Sequence, residues 1–273
     1  MSEETTSRPL SPSMQIKLDT DNTRWQLYVN KQLPLDYEFV LDHELKHQCE
    51  KKALELLLLA NPKGDFAWHL LSKHSSYATY INMENDYSSH LGLGLIRCPI
   101  AFVNSVASGD ALSGKLFSIP YSSNQIVRLS DCLTIDLLCF DYPWPLKPRS
   151  YLVYTYIKYL NDNTLIRVSW DCEEKLQQYY PPLPDTVRGY IKVAGYIARK
   201  TANDNLTAFA HITRMNPNGN LPKILDRSSA ENEIEIIKTL VHTVERVYKK
   251  TMTQQTESIN NQNTNMTKEV SSV

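Results

Sequence analysis

The chain has no long apolar run. Nowhere do some 18 or more apolar residues follow one another, so no transmembrane helix is expected. Glycine is scarce, 8 among 273 residues, and with 14 prolines this excludes collagen-like and glycine-rich fibrous designs. An excess of either charge is missing too. Lys+Arg total 29 and Asp+Glu 30, a formal net charge of -1, whereas a nucleic-acid binder is usually basic. Cysteines are few and unpatterned: Cys49, Cys98, Cys132, Cys139 and Cys172 are odd in number and form no CxxC pair. They read as reduced thiols. The opening Met1-Ser2-Glu3-Glu4-Thr5-Thr6 lacks the basic-then-apolar order of a signal peptide, so a cytoplasmic protein is expected. What the chain does have is tyrosine, 16 against 6 Phe and 4 Trp. Tyrosine joins an apolar ring to a polar tip and suits a half-wet surface or a lined pocket.

Residues 1–22 are mostly Ser, Thr, Pro and Glu with little that is apolar, and residues 251–273 are rich in Gln, Asn, Thr and Ser. They bury too little apolar surface to offset the entropy of ordering, so two disordered tails are expected around one domain over 36–250. Asp36 to Ala60 reads as helix, stopped by Asn61-Pro62-Lys63-Gly64. Short strand-like runs follow at Phe66–Leu71, Tyr77–Met83 and Leu91–Arg97, then a short helix over Pro99–Ala107. Gln125–Leu129, Leu133–Phe140, Tyr151–Tyr159, Leu165–Trp170, Val187–Arg199 and Leu206–Met215 are further strands. Asn161-Asp162-Asn163 and Asn203-Asp204-Asn205 signal hairpin turns between the last pairs. Ile234, Ile237, Leu240, Val241, Val244 and Val247 recur at 3–4 spacing, one apolar stripe of a closing helix. Its start falls near Leu221-Pro222, or later at Ser228 with Glu231 three residues on. Helix, many strands, then helix argues an α+β protein with an antiparallel sheet closed by a helix.

No catalytic pattern stands out. His43-Glu44-Leu45-Lys46-His47 matches HExxH, but Gln48, Glu50, Lys51 and Lys52 follow it where a zinc-binding helix would be apolar. It reads as a solvated helix face. Leu91-Gly92-Leu93-Gly94-Leu95 lacks the third glycine of a dinucleotide loop and reads as a strand whose glycines allow a close approach. No P-loop and no GxSxG elbow occurs. No cofactor, metal or catalytic residue is expected.

From Tyr142 onward three blocks resemble the START-domain (steroidogenic acute regulatory protein-related lipid-transfer) family. The first is Pro143-Trp144-Pro145-Leu146-Lys147-Pro148-Arg149, which departs from the family at Ser150, usually Asp. The second is Val187-Arg188-Gly189 followed by Gly195-Tyr196. The third is Thr213-Arg214-Met215-Asn216-Pro217-Asn218-Gly219-Asn220-Leu221-Pro222, running into the last helix.

The resemblance implies a helix-grip fold: a curved antiparallel sheet around a long C-terminal helix, enclosing an apolar tunnel for one lipid such as a sterol, ceramide or phospholipid. It implies a non-enzymatic monomer that carries or senses lipid, with transient membrane contact and no nucleic acid. A thioesterase-like hydrolase and a regulatory interaction module are the alternatives. The tunnel residues it suggests are Asp136, at the family's acidic position, and Thr155, where several members carry Arg. Lys192 stands at a polar position of ceramide-type members, and Tyr154 is one of the tyrosines. Ile237, Val241 and Val244 come from the helix stripe. Alternation places Lys192 opposite Val187, Ile191, Val193 and Ile197, unless a bulge near Gly189 resets the register.

Overall fold

A computed structural model describes residues 43–83, 88–107, 121–142, 146–219, 234–254 and 257. The expected N-terminal tail, the Pro143-Trp144-Pro145 stretch and both candidate starts of the last helix lie outside these residues.

The first element, α1, is Glu44–Leu59. Leu45, Cys49, Ala53, Leu56 and Leu59 are its buried residues, spaced four or three apart, so a single stripe faces the protein. The helix closes where the Ala60 N–H reaches the Leu56 carbonyl, ahead of Pro62. Phe66 and Trp68, expected in a strand, form instead an edge-to-face pair, and the Trp68 indole N–H donates to the Leu59 carbonyl at 3.0 Å.

Strands follow at β1 His69–Lys73, β2 Tyr77–Met83 and β3 Ser88–Ile96, then α2 Ile100–Ala107. Next come β4 Tyr121–Arg128, β5 Leu133–Phe140, β6 Arg149–Leu160 and β7 Thr164–Asp171, with a tight 3-10 turn at Asn161–Asn163 between the last two. A short helix that sequence reasoning missed, α3, spans Glu174–Tyr179. The run expected at Val187–Arg199 is broken at Gly189 into β8 Val187–Arg188 and β9 Tyr190–Lys200. A Cβ at Gly189 would lie 2.3 Å from the Tyr151 ring, so only glycine lets the chain pass there. β10 is Thr207–Asn216, and the last helix, α4, occupies 234–254. Helix therefore continues past residue 250, where a disordered tail was expected. Thr251 and Thr253 hydroxyls donate to the carbonyls four residues back.

The strands form one sheet in the order β1-β2-β3-β10-β9-β7-β6-β5-β4, antiparallel throughout; β8 adds a two-residue parallel pairing to β6. Its two faces are covered by different helices. On the outer face α1 packs on one cluster that includes Leu133, Ile135, Leu137, Leu152, Tyr154, Ile166, Val168, Val193, Ala210 and Ile212. Charged side chains tie this layer at its margins. Glu50 receives the Tyr156 hydroxyl and the Lys158 ammonium, and Glu55 faces Arg214 at 3.6 Å. Arg214 also covers the Phe66 ring. On the inner face lies α4.

The three family-like blocks meet at one end of the sheet. The Arg149 guanidinium donates to the carbonyls of Pro217 and Asn218 and lies 5.1 Å from the Tyr142 ring. The Asn218 amide donates to the Arg188 carbonyl at 3.1 Å. Ser150, in place of the family's Asp, shares a hydrogen bond with Thr186 at 2.9 Å.

Candidate functional site

Strand alternation decides which side chains share the inner face. Ile135 and Leu137 belong to the α1 layer, so Asp136 between them points inward. Leu152 and Tyr154 belong to that layer too, so Tyr151, Val153, Thr155 and Ile157 point inward. The same rule turns Leu165, Arg167, Ser169 and Asp171 inward on β7, and Phe209, His211, Thr213 and Met215 on β10.

α4 covers one end of this face. Ile237, Leu240, Val241 and Val244 are buried among Ile96, Leu165, Tyr196, Ala198 and Phe209. The helix approaches the sheet closely at Gly94, where a Cβ would stand 3.0 Å from a Val241 methyl. This is the close approach expected of the glycine pair in β3. A second inner cluster, Phe140, Tyr151, Val153 and Ile191, sits toward the Arg149 end.

The two clusters do not join. Between them the inner residues are polar. Thr134, Thr155 and Ser169 lie in one row across β5, β6 and β7, and the Thr155 and Ser169 hydroxyls are 2.9 Å apart. Asp136 and Asp171 flank Val153 in the adjacent row. His90, His211, Thr213 and Thr79 continue the band across β10, β3 and β2. Asp136 is 7% exposed and Thr155 3%. The Thr79 hydroxyl is fully buried and has no hydrogen-bond partner among the described residues. Burying a hydroxyl in that state costs about 1–3 kcal/mol. The Ser88 hydroxyl and His90 Nε2 are 2.6 Å apart.

Burial sets the electrostatics of this face. It raises Asp171 to about 7, against the opposing pull of the Ile191 N–H, Arg188 and Lys52. The Ile191 N–H donates to Asp171 Oδ2 at 2.8 Å. Burial also raises the Tyr196 phenol, while the Arg167 charge and hydrogen bond lower it.

The suggested tunnel residues thus separate. Asp136 and Thr155 share the inner band, and Ile237, Val241 and Val244 face the sheet from α4. Tyr154 does not join them. It is buried in the α1 layer, where its hydroxyl donates to Glu173 at 2.7 Å and its ring lies beside Trp170. Adjacent strand residues face opposite ways, so Tyr154 and Thr155 cannot both line one tunnel. Lys192 is exposed. The register slips there, with Met215 opposite Ile191 and Arg214 opposite Val193, so Lys192 is the extra residue of a bulge. Its carbonyl accepts the Lys52 ammonium from α1.

Sequence reasoning missed Ser169, Arg167 and Asp171; it took Thr213 only as the start of the third family-like block, and His90 and His211 as packing or surface residues. The signal for Ser169 was present: counting back equally from the Asn161-Asp162-Asn163 turn sets it opposite Thr155. His43, Glu44 and His47 stand exposed at the start of α1. Among the described residues no cluster of three His, Cys, Asp or Glu is placed to hold a metal. No helix there is long and apolar enough to cross a membrane.

An antiparallel sheet that holds a long C-terminal helix against one face, with a second helix behind it, defines the helix-grip class. Residues 128–250 match the family model of the START domain, and over those residues the chain is similar to that family. Solved structures agree on the fold. Human StAR-related lipid transfer protein 5 superposes with a TM-score of 0.64 at 15% identity, over 74% of this chain and 97% of that one. Human STARD10 gives 0.59 at 16% identity, over 83% and 86%. The human StarD13 (DLC2) lipid transfer and protein localization domain gives 0.51 at 15%, over 74% and 98%. No curated protein sequence matches the chain.

Proposed function

We propose that this protein binds one lipid, a sterol, ceramide or phospholipid, between α4 and the inner face of the sheet, and carries or senses it between membranes. The observation that carries this reading is the interrupted inner face. A sheet face that served stability alone would be packed as one apolar cluster, as the outer face is. Instead two apolar clusters flank buried hydroxyls, a carboxylate and imidazoles, the composition of an apolar site with a few orienting polar groups. The partnerless Thr79 hydroxyl supports the same reading, because a ligand oxygen would satisfy it.

In this reading Asp136 and Thr155 orient the head group, with Ser169 and Arg167 beside them. Ile237, Val241 and Val244 hold the helix over the chain end. Tyr154 and Lys192 take no part. Native mass spectrometry of the purified protein tests the reading: a co-purified lipid is expected. Protein stripped of lipid that then takes up no sterol, ceramide or phospholipid from liposomes overturns it. Asp136→Ala is expected to change lipid preference across a liposome panel more than it changes stability. An unchanged preference removes the head-group role of Asp136.

One observation favours the hydrolase alternative. Ser88 and His90 form a nucleophile–base pair at hydrogen-bond distance on the inner face. A fluorophosphonate probe that labels Ser88, together with acyl-ester hydrolysis lost in Ser88→Ala, would establish it. No labelling leaves the pair structural.

A further inference from the structure

At the end of the sheet remote from Arg149, two turns stand side by side. The Asn161–Asn163 turn closes β6 and β7, residues 201–206 close β9 and β10, and Thr164 pairs with Arg199 between them. A cleft of about 460 Å³ separates the turns, lined by Asn161, Asn163, Thr164, Arg199, Lys200, Thr201 and Asp204. Its walls offer donors. Arg199 is exposed and makes no hydrogen bond or ion pair among the described residues. Asn161 uses its side-chain oxygen on the Asn163 N–H at 3.2 Å, which leaves its NH₂ as a donor. Lys200 is answered by Asp204 at 3.0 Å, and the Thr201 hydroxyl donates to the Leu206 carbonyl at 2.8 Å.

The surroundings extend this charge. Ile96 at the end of β3 pairs with Thr207, and Thr207 pairs with Lys200. The Arg97 N–H donates to Glu245 of α4 at 2.9 Å, which brings the last turns of α4 to the same end. Arg97, Arg246, Lys249 and Lys250 are all exposed there. Among the described residues nearest the two turns the acids are Asp204 and Glu245, each engaged, and Asp162 at the turn; Asp131 beside Arg128 and Glu50 on Lys158 stand further across β5 and β6. Six basic residues, Arg97, Arg199, Lys200, Arg246, Lys249 and Lys250, are thus exposed at this end. Tyr159, 68% exposed, stands next to the cleft on the strand that leads into the Asn161 turn.

We propose that this end docks on a bilayer surface bearing anionic phospholipid, with one head-group phosphate held in the cleft by Arg199 and the Asn161 amide. Exposed cations around a donor-rich cleft meet the phosphates, and an exposed tyrosine settles at head-group level. That aromatic next to the cations favours a membrane over an acidic peptide. The inference rests on the carrier reading only in taking a membrane as the partner.

Flotation with vesicles of phosphatidylcholine alone, and of phosphatidylcholine with phosphatidylserine, tests it. The wild-type protein is expected to bind the anionic vesicles, more weakly as salt rises. Each basic group near such a surface is worth about 1 kcal/mol, so Arg199→Glu with Lys200→Glu is expected to lower binding at least about tenfold. Tyr159→Ala should lower it by a smaller factor. Lys51→Glu, exposed on α1, should leave it unchanged. All these side chains are substantially exposed, so melting temperatures serve as the check on folding. Native mass spectrometry reports cargo separately. A double variant that keeps its cargo and loses the vesicles supports the docking surface. Equal binding by wild type and double variant, or no wild-type preference for anionic vesicles, overturns it and leaves the cargo reading standing.

Discussion

The two faces of the sheet are built from the same alternating strands, yet they are filled differently. The outer face is one continuous apolar cluster under α1, with Leu56, Leu91, Ile135, Leu137, Leu152 and Ile166 fully buried and ionic ties at its margins. The inner face holds two apolar islands with a polar band between them. Continuous packing contributes stability in proportion to the area it buries, whereas buried polar groups contribute little unless partnered. The outer face therefore contributes most of the stability of the fold, and the inner face less.

Substitutions can break this comparison. The largest effect is expected from Leu56→Ala, a fully buried side chain under α1, at about 3–4 kcal/mol of stability. Urea unfolding measures it, and lipid preference should not move. Gly195→Ala comes next. Gly195 has φ +151° and a Cβ there would lie 2.0 Å from the Arg167 carbonyl oxygen, so the β7–β9 seam must open, at about 2–3 kcal/mol. That seam lies beneath both faces, so both stability and lipid uptake should fall.

The third effect depends on pH. Asp171 is raised from the ordinary aspartate range to about 7 in the folded protein. Between those values the folded state holds a proton that the unfolded state has lost, so stability falls as pH rises from 4 to 7. With Asp171 mostly buried, the loss across that window should show as a fall in the urea midpoint. Asp171→Asn keeps an acceptor for the Ile191 N–H and should flatten the curve. Urea midpoints at both pH limits decide it, and parallel curves for wild type and variant would exclude Asp171 as the source. The smallest effect is Thr155→Val, which removes the hydroxyl pairing with Ser169 and should cost about 1 kcal/mol. If the inner band serves a ligand, lipid preference shifts with it; if the band is structural, stability alone changes.

The strands and turns were legible in the sequence because β-branched and aromatic runs between asparagine turns are local signals. Leu133–Phe140 and Tyr77–Met83 fall where the pattern sets them. Facing was harder to read. Tyr154 and Thr155 were chosen as neighbours in sequence, although a strand sends neighbours to opposite layers. Lys192 depended on a bulge that arises from how β9 meets β10, and pairing across strands leaves no mark on β9 alone. Asp171 and Arg167 needed the register of a third strand. The resemblance pointed to the fold through residues that meet at Arg149, away from the polar band, so it could name the class of site more readily than its lining.

The meeting of three segments at Arg149 also bears on how the molecule breathes. The Val187 N–H donates to the Pro148 carbonyl and the Gly189 N–H to that of Ser150, so the linking segments at that end are tied to one another. At the opposite end, the amides of the 201–206 turn are tied, among the described residues, within their own hairpin. The amides of Val187 and Gly189 can then exchange with deuterium only when several segments release together, and should be among the slow ones. Those of the 201–206 turn open alone and should exchange early. One end of the domain will fluctuate as a unit on a long timescale, the other as single hairpins on a short one.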